Sequence, residues 1–493
     1  MAVIATLLLG APAVPAATAV DLRLATAELA AAHPGLSGVL LLDTGGEALI
    51  QRDALIESAR STIDAQYYIW NSDASGRYLA ARLLGAAARG VHVRVLLDDI
   101  NVAGRDAAIA TFAAHPNVEI RFYNPSAARS GFLRILGFVT EFSRVNRRMH
   151  NKSFTADGAV TIIGGRNVGD EYFDLSPETN FRDRELLAAG PVVREVQASF
   201  EAFWNSDWAK PVESIAEPGS DVDTGTLLAS AVHDVAALGY AAPPDLASRS
   251  RDTLPGLLWA PARLVFDAPP GAEAIDNPDV PQHVALALRD LVATARREVL
   301  VESAYFILGD ESLVAAARLD AAGVDLRVLT NSLASNDLVT NHSGYARRRP
   351  AMLDAGIELY ELRPDAAACA RLVTVSRACE TGPAFALHSK SVVVDRRVVY
   401  IGSFNLNLRS VYLNTETALI VESPPLAERV AASTTKLMQP DSSWHVVRQK
   451  DGDLEWVTET DGREVRETHE PMTGAWRRFQ SGFYQLFPLE KYL

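Results

Sequence analysis

His388 and Lys390 stand two residues apart in the stretch LHSKSVVVDRRVVYIGSFN, followed by Asp395, Gly402, Ser403 and Asn405. A β-strand alternates its faces with period two, so both side chains would project from the same side. The runs VVV and VVYI are β-branched and apolar, which predicts two buried strands joined at Asp395-Arg396-Arg397. Packing gives no reason to aim an imidazole and an ammonium together from the end of a buried strand. Chemistry does: an imidazole attacks or carries a proton, and an ammonium beside it offsets negative charge. The set occurs twice. His150, Lys152, Asp157, Gly164, Gly165 and Asn167 repeat the spacing at a constant offset of 238 residues.

Elements that carry two such sets must themselves be duplicated. SARSTIDAQYYIW and TARREVLVESAYFIL each read as a helix end followed by a strand. GAAARGVHVRVLLDD and ARLDAAGVDLRVLTNS each read as helix, Gly turn and strand, with the strands predicted at 91–97 and 324–329. HPNVEIRFYNP and AGIELYELRP supply a third matched strand. Repeated βα units in order predict a duplicated α/β fold. Residues 36–209 and 257–440 are read as its two lobes. Residues 210–256 are rich in Pro, Gly and Ser and acidic, and are read as a connector. Residues 441–493 are read as a β-meander with two Asp-Gly turns, then an amphipathic helix with Trp476, Phe479, Phe483 and Phe487 on one face.

The bulk properties fit a folded enzyme. A chain of 493 residues suffices for two domains or one large two-lobed body, and 48% hydrophobic with 22% charged residues is ordinary for a globular protein. A net charge of −14 argues against a general nucleic-acid binder, while leaving room for local basic patches. Cys369 and Cys379 offer neither metal-site spacing nor a disulfide framework, and are read as free or incidental thiols, with a single disulfide the alternative in an oxidising compartment. Residues 1–35 begin with an apolar stretch in which Ala17-Thr18-Ala19 resembles a signal-peptide cleavage site. That stretch lacks a basic start and is interrupted by Pro12 and Pro15. It is too short and broken for a membrane-spanning helix, and no other segment has a long charge-free apolar run. The expectation is a soluble or peripheral protein, with export left open.

The two sets spell H-x-K-x4-D-x6-G-[GS]-x-N, and on them the chain resembles the phospholipase D superfamily over roughly residues 50–440. NRRMHNKSFTADGAVTIIGGRNVGDEYF, IGSFNLNLRSVYLNTE and TNSLASNDLVTNHSGYARRRPAMLDAGIELYEL are similar to bacterial cardiolipin synthases, the C-type branch in particular. Asn407 stands where many relatives are acidic, outside the signature. The resemblance implies two α/β lobes, each a mixed central sheet flanked by helices, with the active site at their interface. It implies phosphatidyl transfer with no cofactor or metal, making cardiolipin from phosphatidylglycerol and a second phospholipid, either phosphatidylethanolamine or phosphatidylglycerol. It also implies a membrane-associated protein of the bacterial cell envelope, acting on phospholipids and without a nucleic-acid partner.

Phosphodiester chemistry explains why two His-Lys pairs are needed. A neutral imidazole attacks phosphorus to give a phosphohistidine, and a second, protonated imidazole donates to the leaving alcohol. Their environments must therefore push their pKa values apart. Lys152, Lys390, Asn167 and Asn405 would offset charge on the phosphoryl oxygens. The resemblance makes His150 the nucleophile and His388 the acid/base, whereas the residues themselves are symmetric on this point. Glu416 matches the carboxylate that orients a catalytic histidine in the superfamily, and Asp183 takes the comparable place in the first half, with Glu185 as the alternative. Asp157 and Asp395 belong to the motif but sit at turns, where an aspartate bonds nearby backbone.

Several residues outside the motifs are candidates for substrate or membrane contact. RSGFLRILGFVTEFSRVNRRMHNK mixes Phe132, Phe138 and Phe142 with basic residues that include Arg147 and Arg148, as suits an anionic lipid surface. Trp476 on the C-terminal helix is read the same way. His342 either lines the acceptor site or caps a helix, and Arg347, Arg348 and Arg349 are read as a solvated helix face. Two rival activities remain: a phospholipase D that hydrolyses phospholipids to phosphatidic acid, and a phosphodiesterase acting on nucleic acid.

Overall fold

The computed structural model describes residues 20–102, 104–126, 129, 141–219, 224–244, 246–271, 279–373, 379, 385–460, 462–487 and 490–492. Phe132, Phe138 and the proposed cleavage site lie outside the described residues.

The first half contributes β1 (Ser37–Leu42), β2 (Thr62–Tyr67), β3 (His92–Asp98), β4 (Val118–Tyr123), β5 (Ser153–Ala156) and β6 (Val160–Gly164). It continues with β7 (Asn180–Arg182), β8 (Glu185–Ala189), β9 (Ala209–Pro211) and β10 (Leu258–Ala260). All but β7 form one sheet in the order β10-β1-β8-β6-β5-β2-β3-β4-β9. The pairs β2/β3 and β3/β4 are parallel and the others antiparallel, so the sheet is mixed.

The second half repeats this with β11 (Ala262–Phe266), β12 (Glu298–Ser303), β13 (Asp325–Asn331), β14 (Ile357–Leu362), β15 (Phe385–Leu387) and β16 (Lys390–Val394). The strands β17 (Val398–Gly402), β18 (Thr417–Glu422), β19 (Ser443–Arg448), β20 (Leu454–Thr460) and β21 (Arg463–Glu467) complete it. Its sheet runs β11-β18-β17-β16-β12-β13-β14-β19-β20-β21, the last three strands being the antiparallel C-terminal meander.

The motif strands β5 and β16 occupy matching central places, and every residue of each is buried. The two sheets share an apolar core. Val39, Ile163 and Leu186 of the first pack with Leu300, Val393 and Leu419 of the second. This common core fixes the lobes against each other.

Residues 210–256 depart from a bare connector. Two of their helices, Thr224–Ala237 and Leu246–Thr253, wrap the first lobe, and Ala231, Val235 and Tyr240 enter its core. The apolar run LLASAVHDVAAL, 227–238, lies between the Pro-, Gly- and Ser-rich flanks, and composition taken over the whole segment averages it away. The chain changes sheets at Pro261, between β10 and β11. Cys369 and Cys379 are not free thiols: they form a disulfide, with Cα atoms 5.8 Å apart. Their ten-residue spacing in sequence carries no distance, and only the fold brings them together.

Candidate active site

Each motif histidine sits just before a buried strand, at the end facing the other lobe, and two short cross-lobe pairings put it there. Strand β15 runs parallel to β7 of the other lobe, and the amides of His388 and Ser389 both donate to Arg182 O, at 2.8 and 2.9 Å. Met149 bridges to Thr415 in the same sense, with His150 N donating to Thr415 O at 2.9 Å. The residue after each partner is a carboxylate: Asp183 follows Arg182, and Glu416 follows Thr415.

The pairing is therefore crossed. Glu416 of the second lobe accepts from Nδ1 of His150 at 2.8 Å, and Asp183 of the first lobe lies 2.6 Å from Nδ1 of His388. Both histidines and both carboxylates are buried. With Nδ1 held, Nε2 is the ring nitrogen left for chemistry. Glu185, the alternative to Asp183, pairs instead with Arg52 and Arg166.

The lysines lie beside their histidines. Lys152 Nζ donates to His150 O at 2.6 Å, and Lys390 Nζ sits 3.0 Å from His388 Nδ1 and bonds His388 O. Burial, only partly offset by Glu416 and Asp183, holds Lys152 well below the usual lysine range and Lys390 at about 8. Asn167 is fixed by Ile69 N at 3.2 Å and by its own bond to Tyr172 Oη at 3.0 Å. Asn405 Oδ1 is buried without a hydrogen-bond partner among the described residues.

Burial, then the neighbouring lysines, pushes both imidazoles down: His150 well below its usual value and His388 to about 4. The expected divergence appears in the carboxylates instead. Glu416 rises to about 7, because burial outweighs Lys152 and the hydroxyls of Ser403 and Ser410, which donate to it at 2.5 and 2.6 Å. In Asp183 burial is overcome by His388, Lys390 and Arg166, so it falls below its usual value. An ionised Asp183 gives a protonated His388 its counter-charge. Glu416, raised by burial, is only partly ionised near neutrality and gives His150 less.

Other sequence candidates are elsewhere. Asp157 and Asp395 lie at the far ends of β5 and β16, with φ of 53° and 52°. Asp157 accepts from the amides of Arg60, Ser61 and Thr62, and Asp395 from those of Arg296, Arg297 and Glu298, so each ties its hairpin turn to the start of a parallel strand. Arg148 is buried against Asp98, and Arg147 bonds Tyr412 O at 3.1 Å, so neither faces a lipid surface as the sequence suggested. His342 neither caps a helix nor lines the site: it is fully buried under the C-terminal helix, 3.4 Å from Ser481 Oγ. Arg349 is not solvated. It is buried between Glu361 and Glu470, at 3.2 and 2.8 Å. His342, Glu361 and Glu470 could otherwise suggest a metal site, but this guanidinium already supplies the positive charge. Asn407 caps the short helix Leu408–Tyr412 by accepting from Ser410 N.

Sequence reasoning missed the rings around the imidazoles. Tyr68 packs edge-on to His150 at 4.8 Å, and Tyr172 and Phe181 pack on His388 at 5.1 and 5.3 Å. Tyr68 stands next to the repeated strand and could have been suspected; the other two have no counterpart at the 238-residue offset.

A family model described as cardiolipin synthase, PLD-like domain, matches residues 53–204 and 288–438, one copy in each lobe. The chain belongs to this phospholipase D-like family. It is 37% identical to cardiolipin synthase C of Escherichia coli K12 over 95% of this chain and 99% of that protein. It is 30% identical to a cardiolipin synthase A of Pseudomonas entomophila over 79% of this chain and 66% of that one. The phosphatidylserine synthase structure of Haemophilus influenzae shares the fold, with a TM-score of 0.59 at 13% identity, covering 95% of this chain and 100% of that chain. In this family member the two matched segments each bring one histidine, one lysine and one carboxylate to the interface.

Proposed function

We propose that the protein makes cardiolipin by phosphatidyl transfer. The crossed His–carboxylate pairs with two buried lysines between them carry this reading, and the relatives' names give the product. Nε2 of His150 attacks the phosphorus of a donor phospholipid, and the bond from phosphorus to the head-group oxygen breaks. Without substrate His388 is neutral, and it takes a proton when the anionic phosphate joins Asp183 beside it. It gives that proton to the leaving oxygen, leaving phosphatidyl-His150 and a free head-group alcohol. His388 then takes the proton from a glycerol hydroxyl of phosphatidylglycerol, whose oxygen attacks phosphorus as the N–P bond breaks. Lys152 and Lys390 offset the phosphoryl charge throughout.

The donor is phosphatidylethanolamine or phosphatidylglycerol. The enzyme works as a peripheral protein of the bacterial envelope, where the exposed aromatic face of its C-terminal helix meets the bilayer. No helix among the described residues is long and apolar enough to cross a membrane. The Cys369–Cys379 disulfide supports an oxidising compartment, hence export.

Product analysis with labelled phosphatidylglycerol in mixed micelles, with and without phosphatidylethanolamine, tests the reaction. Cardiolipin from the wild type, absent in His150→Ala, is expected. Phosphatidic acid alone would make water the acceptor and the protein a phospholipase D.

A further inference from the structure

Departure of the head group needs His388, so the head group must lie on the His388 side of the phosphorus while His150 takes the other side. On that side Tyr172 and Phe181 of the first lobe pack on His388, and the second lobe adds Tyr305. Tyr305 follows β12 and is locked between the two parts of the second motif: Ala304 N donates to Ser389 O at 3.2 Å, and Phe306 bridges to Leu406, next to Asn405. The Tyr305 hydroxyl donates to Asp337, 2.8 and 2.9 Å from its two carboxylate oxygens. Asp337 stands in the loop after β13. Asn331, the last residue of β13, is tied to Leu387 beside His388 by bonds of 2.8 Å in both directions.

Asp337 has no ordinary structural task. It stands two residues before the helix Val339–Asp354, whose N-cap Leu338 supplies no side-chain bond, yet its carboxylate bonds Tyr305 and none of the helix amides. No cation pairs with it among the described residues, and it is exposed to solvent. Its charge nevertheless reaches Lys390 and Tyr172. The feature is one-sided. Trp70 bridges to Val168 as Phe306 does to Leu406, which puts Ile69 at the first-lobe counterpart of Tyr305. A carboxylate whose oxygens keep lone pairs free is a receptor for hydrogen-bond donors, strongest when the donor is charged.

Building on the transferase reading, we propose that Asp337, oriented by Tyr305, is a specificity-determining residue that grips the departing or entering head group through its donors. The ligand chemistry is an alcohol or ammonium with N–H or O–H groups, as in glycerol or ethanolamine. A trimethylated ammonium offers none.

Release of labelled head group from phosphatidylglycerol and from phosphatidylethanolamine vesicles, measured beside hydrolysis of bis(p-nitrophenyl) phosphate, tests this. Head-group release does not depend on whether alcohol or water completes the reaction, so failure to form cardiolipin is read separately. For Asp337→Asn, KM for the lipids should rise roughly ten-fold, about 1.4 kcal/mol of binding, well beyond any change in the reporter, which has no such head group. Tyr305→Phe should show a smaller rise of the same kind. A loss confined to phosphatidylethanolamine identifies the ammonium as the ligand, and a loss confined to phosphatidylglycerol identifies the glycerol hydroxyls. Unchanged lipid kinetics in Asp337→Asn, or an equal fall for lipid and reporter, would overturn the assignment.

Discussion

At the scale of single residues, two identical motifs are made unequal by their carboxylates. Glu416, raised to about 7 by burial, ionises as pH passes through that value, and in its ionised form accepts the Nδ1 proton of His150 without competition from its own. Lys390, lowered to about 8, loses its charge above that pH. The rate of transfer should therefore peak between these values, rising with pH through about 7 and falling above about 8. Glu416→Gln should remove the acid limb and lower kcat by roughly 10²–10⁴-fold, as losses of general acid–base groups do. A pH–rate profile that keeps its acid limb in that variant would refute the assignment. Stability runs the other way. An unfolded Glu416 ionises near 4.5, so from there to about 7 the folded chain holds the extra proton. The contribution of this group to stability is complete below pH 4.5 and is lost as pH rises through 7.

At the scale of elements, the motif glycines show why β5–β6 and β16–β17 were readable. Gly164 ends β6 where a Cβ would lie 2.5 Å from Arg184 O, and a Cβ on Gly402 would fall on Thr417 O and Ala418 of the next strand. These glycines let β8 and β18 close in, and those strands begin within two residues of Asp183 and Glu416. A Cβ on Gly165 would lie 2.5 Å from Asp183 Oδ1, whereas the matching Ser403 uses its hydroxyl to hold Glu416. Gly402→Ala should destabilise the fold by roughly 1–3 kcal/mol, seen as a lowered Tm, because backbone must move. Gly165→Ala should leave Tm nearly unchanged and lower kcat at least ten-fold by displacing Asp183 from His388. A Gly165→Ala enzyme of full activity would count against the Asp183 role. Period-two apolar runs and strict spacing made these strands legible. The cross-lobe pairing of β7 with β15 was not, because three-residue strands leave no pattern.

At the scale of the molecule, the exposed apolar surface gathers at the C-terminus. Trp476, Phe479 and Phe483 are 68%, 60% and 47% exposed and stack in a ladder along one helix, with Leu486 and Phe487 beyond. Its inner side is bound: Arg477 donates to Leu333 O at 2.9 Å and to Asn336 O, in the loop that leads to Asp337. An aromatic face of this kind suits a membrane interface. The triple replacement of Trp476, Phe479 and Phe483 by Ser should reduce cosedimentation with phosphatidylglycerol vesicles at least five-fold while sparing hydrolysis of a soluble phosphodiester. Undiminished sedimentation would exclude this face as the contact. Substitution is a cleaner test than truncation, because Glu490 and Tyr492 pack on Arg347 and Phe142.

The amino-acid sequence by itself determined the duplication, the strands that carry the motifs, and the family, and it proposed the histidines, lysines and carboxylates that the fold brings together. Each is written in local spacing: period two in a strand, a constant offset between halves. Only the tertiary structure decided how the halves meet. It sends Glu416 to His150 and Asp183 to His388, withdraws Asp157, Asp395, Arg148 and His342 from the reacting centre, closes the disulfide, and turns Asp337 toward Tyr305. Those contacts join residues up to 266 positions apart, and burial at their meeting point, which sets their proton affinities, arises only when both lobes are packed.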